Sequence, residues 1–104
     1  MMRYDHVGGK FLSAVRYLAA GTESLQDRVT QAINELSRLR EAEMPPSLRS
    51  RFANLIRQTA SLQSENQANA ATPAPALTDA QASKIAEEIV ALFRSIATTP
   101  RDSE

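Results

Sequence analysis

Residues 25–62 read LQDRVTQAINELSRLREAEMPPSLRSRFANLIRQTASL, and the steps between their apolar positions decide the fold. Leu25, Val29, Ala32, Leu36 and Leu39 advance by four and three residues. Met44-Pro45-Pro46 intervenes, and Leu48, Phe52, Leu55, Thr59 and Leu62 advance in the same way. A repeat near 3.6 residues sets each series on one face of a helix. Proline has no N–H to donate and its ring clashes with the preceding turn, so the two helices must be separate. The stretch predicts a helical hairpin with Leu36 and Phe52 in its core.

Working outward, the positions after each stripe hold Ile33, Ile56, Ala86 and Phe93. They widen each apolar face to about three residues in seven, which suits a globular bundle better than a two-stranded coiled coil. The helix before Pro45 is expected over 22–43, opening at Thr22 or at Ser24, whose S-x-x-D with Asp27 is a capping-box pattern. The helix after it is expected over 46–62, with a proline in its first turn.

On the N-terminal side, Phe11, Val15 and Leu18, flanked by Leu12 and Ala19, predict a helix over 10–20. Gly21 is placed to supply the left-handed residue that often closes one. Residues 1–9 read as a frayed start, with Gly8-Gly9 as a hinge. On the C-terminal side, residues 64–77 turn polar and then Pro/Ala-rich, a flexible linker with nothing to bury. Thr78 and Gln81 then form a second capping pattern for a helix over 78–97 carrying Ala82, Ile85, Ile89, Leu92 and Ile96, and Thr98-Thr99-Pro100 stops it. The expected fold is all-α, a three- to four-helix antiparallel bundle forming a single domain over 1–104, with the flexible linker before the last helix.

Twelve basic and twelve acidic residues cancel to zero net charge, which argues against a surface tuned overall to a polyanion or an anionic membrane. There is no cysteine, hence no disulfide framework, thiolate metal site or thiol nucleophile. The run from Phe11 to Ala20 is interrupted by Arg16 and has helical spacing, so it reads as a core helix and not as a secretory signal. No stretch approaches the ~20 apolar residues of a membrane span. The expected location is the cytoplasm.

Few residues invite chemistry. His6 is the only histidine and no H-x-x-x-H or E-x-x-H occurs, so metal ligands are lacking. Gly8-Gly9-Lys10 lacks the spacing of a phosphate loop, and the serine-nucleophile motifs are absent. The reading is therefore no catalytic, metal or cofactor site and no enzyme. Phe11, Tyr17, Phe52 and Phe93 follow the helical stripes and read as core or core-edge residues. One local excess remains: Arg38, Arg40, Arg49, Arg51 and Arg57 outnumber Glu41 and Glu43 across 38–57, with Ser50, Asn54 and Gln58 as a polar stripe beside them. These residue types contact phosphates and base edges. They also solvate the outer face of a helix, and no aromatic residues interleave with them.

The segment Gly21-Thr22-Glu23-Ser24-Leu25-Gln26-Asp27-Arg28-Val29, with Ala32, Leu36, Leu39, Met44-Pro45, Leu48, Ile85-Ala86, Ile89 and Leu92, resembles a group of short, functionally uncharacterised bacterial proteins. The resemblance implies a helical fold and a bacterial origin, and assigns no functional residue. The sequence thus points to a small interaction or assembly module that self-associates through helical faces. A nucleic-acid-binding accessory protein using the arginine-rich turn is the alternative.

Overall fold

The computed structural model describes residues 5–69 and 77–98. Four α-helices, α1 (Asp5–Ala20), α2 (Leu25–Leu36), α3 (Arg49–Asn69) and α4 (Asp79–Ala97), are joined in part by two 3₁₀ turns, Glu41–Glu43 and Pro46–Leu48. The fold is an all-α antiparallel bundle. Lys10, early in α1, reaches Glu35 at the end of α2 at 3.2 Å, so these helices run in opposite directions. Gln26 bonds Asp79, which places the starts of α2 and α4 at the same end. Arg51 meets Glu88 and Asn66 meets Gln81, so α3 runs against α4.

The apolar faces do not pair as the stripes suggest. α2 packs against α1 and α4, while α3 packs chiefly against α4 and the two 3₁₀ turns. The expected hairpin of the second and third helices is therefore replaced by a three-way contact of α1, α2 and α4, with α3 laid against α4. Phe52 of α3 still reaches the interior, tilted against Phe11 of α1 with ring centroids 6.2 Å apart. Phe11, Leu36, Met44, Leu77, Ile89 and Leu92 are the large side chains sealed from solvent.

Helix bounds differ from the sequence reading for identifiable reasons. α1 begins at Asp5, not Lys10, because Val7 completes the row with Phe11 and Ala14 and is buried. Gly8 and Gly9 are thus helical rather than frayed, and residues 1–4 lie outside the described part. α2 stops at Leu36 instead of continuing to 43. The Ser37 hydroxyl donates back to the Ile33 carbonyl at 2.8 Å, the kind of local bond that competes with helix continuation. The chain from there to Pro46 is a largely exposed link, broken by the 3₁₀ turn Glu41–Glu43, in which Leu39, Met44 and Pro45 keep an inward face without an α-helix. Met44 is extended, as a residue preceding proline must be.

α3 runs on to Asn69, overturning both its expected end at 62 and the linker reading of 64–69. Polar residues there have little to bury, yet none of them stops a helix. Leu77, also assigned to the linker, is only 1% exposed and anchors the start of α4. Residues 70–76 lie outside the described part, as do Thr99 and Pro100. The cap at Thr78 forms the full box, Thr78 and Gln81 exchanging reciprocal bonds, whereas at Ser24 only half of the expected box forms: Asp27 N–H donates to Ser24 Oγ without a return bond from the carboxylate. Thr59, the polar member of the α3 stripe, is buried with its hydroxyl donating to the Leu55 carbonyl.

Candidate interaction surfaces

Of the five arginines read as a possible nucleic-acid contact, Arg49, Arg51 and Arg57 are bonded within the fold, while Arg38 and Arg40 are largely exposed. Arg38 lies 4.0 Å from Glu35 and Arg40 lies 4.0 Å from Glu43. Arg49 donates from Nε to the Met44 carbonyl and from Nη2 to the Ala42 carbonyl, both at 3.1 Å. It thus closes the link before α3 upon itself. Arg51 makes a two-pronged pair with Glu88 of α4 at 3.2 and 3.3 Å, the fork geometry that suits guanidinium and carboxylate. Arg57 is held by Asn54 on its own helix. Glu35, Glu43 and Glu88 therefore offset much of the local excess, and the polar stripe supplies a partner to one of the arginines.

A sixth arginine, which composition did not single out, has the most structural role. Arg28 of α2 donates from Nη1 to the Leu18 carbonyl at 2.6 Å and from Nε to the Glu23 carbonyl at 3.0 Å. It places positive charge where the last carbonyls of α1 point, the favourable end of the helix dipole. Gly21 makes room for it. A Cβ there would lie 2.9 Å from the Arg28 stem and 2.7 Å from the Tyr17 carbonyl, and no glycine among the described residues has positive φ. The expected left-handed closing residue is thus a close-approach glycine. Nearby, Glu23 ionises more readily than an ordinary glutamate, chiefly because its own backbone N–H donates to the carboxylate, with the Gln31 amide assisting. Any stability it lends is present at neutral pH and lost as pH falls through that lowered value.

Several concavities flank α4, one of them a small hollow where Arg94 lies beside Arg51. Between α3 and α4 lies a groove of about 790 Å³. Leu55, Leu62 and Ile85 line its apolar part, and charges of both signs, Arg51, Lys84 and Glu88, stand beside them. Between α1 and α4 lies a shallower apolar seam of about 430 Å³, where Val15, Leu18 and Ala19 face Ser83, Ala86 and Val90. Val90 is 41% exposed, and Leu12, one turn before Val15 on the same flank of α1, is 46% exposed. The stripes placed Leu12 beside the core, and it is instead a surface leucine. Tyr17, read as core or core-edge, is likewise exposed at 42%. Val90 carried no sequence signal of its own, since it sits one residue past the buried Ile89.

No group of three or more His, Cys, Asp or Glu residues able to hold a metal ion occurs among the described residues. No helix there is long and apolar enough to cross a membrane. Comparison of the chain with family models, with curated proteins and with solved structures finds no match.

Proposed function

We propose that this chain is a small helical assembly module that acts by binding protein, in the first place another copy of itself, in the cytoplasm of a bacterial cell, and that it is not an enzyme. The observation that carries the reading is the α1–α4 seam, an apolar groove lined by the exposed Val90, with the exposed Leu12 one turn before its lining residue Val15. Burying these side chains against an associating helix removes apolar area from water and so favours association. A second support is the small size of the chain, since about a hundred residues close only a modest core and self-association is a common remedy.

The alternative, nucleic-acid binding through the arginine-rich turn, draws less support. Arg49 is committed to backbone carbonyls and Arg51 to Glu88, so neither is poised for a phosphate. Light scattering across a concentration series tests the preferred reading. A mass rising above the 11.4 kDa of one chain, and falling back on dilution, is expected. A strictly monomeric mass at high micromolar concentration overturns it.

A further inference from the structure

Resting on that reading of self-association, we infer that the α1–α4 face is the interface of a two-fold symmetric homodimer. Its axis runs perpendicular to the helices, so that each helix packs antiparallel on its own copy. Symmetry of this kind requires each helix to present a row that complements itself when reversed. Both helices do.

On α4, Glu87 and Arg94 are exposed, have no ion-pair partner among the described residues, and lie seven residues apart with Val90 between them; Arg94 also lines a shallow hollow beside Arg51 on the α3 flank, and the dimer requires its side chain to swing toward the α1 flank. A second α4 laid antiparallel and centred near Val90 brings Glu87 of one copy to Arg94 of the other, and does so twice. Like charges do not meet anywhere in that arrangement. On α1, the row Gly8, Leu12, Val15, Ala19 runs small, large, large, small. Reversed on itself it sets Leu12 against Val15 and Gly8 against Ala19. No atom lies within 4 Å of where a Cβ on Gly8 would stand, so the position is open to a neighbouring helix.

The two rows border one seam: Val15 and Ala19 line it with Ser83, Ala86 and Val90, and α1 runs against α4. The proposed dimer sets the midpoint between Leu12 and Val15 level with Val90, so that a single axis serves both helices. A partner of other sequence would need only an apolar face, whereas charges placed symmetrically about the apolar centre specify a second copy.

Light scattering or sedimentation on charge and apolar variants tests the proposal. Leu12→Glu and Val90→Glu should each weaken the dimer at least about a hundredfold, since each buries an unpaired carboxylate. Both should keep native circular dichroism, because the residues are exposed in the monomer. Glu87→Arg and Arg94→Glu should each weaken it roughly tenfold by repeating a like-charge contact at both symmetric positions. Mixed together, these two variants should recover association as a heterodimer, and the doubly swapped chain should recover it alone. Recovery needs no refolding control, because it restores what the single changes remove. If the unmodified chain dimerises and Val90→Glu and Leu12→Glu dimerise equally well, the face is wrong while self-association stands. If the apolar variants dissociate but the charge variants never recover one another, the antiparallel two-fold is overturned. A monomeric unmodified chain overturns both this inference and the reading on which it rests.

Discussion

At Gly21 the missing side chain is what lets Arg28 lie across the end of α1. Replacing it with alanine sets a methyl group against the Tyr17 carbonyl and the Arg28 stem, so Gly21→Ala should cost about 1–3 kcal/mol, the usual scale of overpacking, in urea denaturation. Gly9 is the opposite case. It is helical, exposed and open on the side a Cβ would occupy, so Gly9→Ala should stabilise the protein by about 0.5–1 kcal/mol through lower backbone entropy in the unfolded chain. A loss of stability there would count against the helical start of α1 at Asp5. Both glycines were visible in the sequence, and both were misread for the same reason. Composition says that a glycine is present, whereas its use depends on which side chain, here Arg28 from the next helix, passes over it.

Among elements, α3 shows how far a stripe can be trusted. Phe52, Leu55 and Thr59 are buried as their spacing demands, and Ile33 and Ile56 widen the faces as expected. The stripe does not say which helix will meet it. Leu39 and Met44 continue an inward pattern through a link that is not α-helical, so the periodicity carried α2 past its real end at Leu36. Phe52 nevertheless fills the space beside Phe11, and Phe52→Ala should cost about 3–5 kcal/mol in urea denaturation, as expected for a large side chain removed from a closed interior. A loss below about 1 kcal/mol, the scale of surface changes, would remove that contact from the core. The box at Thr78 and the serine half of the cap at Ser24 were legible because the bonds that form them span only three residues. The α1–α4 seam was not, because Leu12 and Val90 gain meaning only once two helices distant in sequence stand side by side.

For the molecule as a whole, helix packing is uneven. α1, α2 and α4 touch one another mutually, whereas α3 leans chiefly on α4 and its own preceding turns. Local opening follows the least supported element. Native-state hydrogen exchange should therefore find the slowest amides in α1, α2 and α4, and the residues after Leu62 in α3 should exchange soonest within that helix. Equal protection along all four helices would contradict this ranking. The four-helix class was readable from periodicity and prolines, because these are local signals, while the order of packing depends on contacts that no local pattern records.

The neighbours α1 and α4 are the helices farthest apart along the chain, and that has a consequence for synthesis. On the ribosome α1 and α2 emerge together and can pair at once, but Ile89 and Leu92, which complete their interior, are made only after the whole of α3. Until then Phe11 and Leu36 lack the helix that shields them. The bundle therefore closes only when its last helix is free, and the growing chain passes through a stage at which its apolar face is open to other nascent chains and to chaperones.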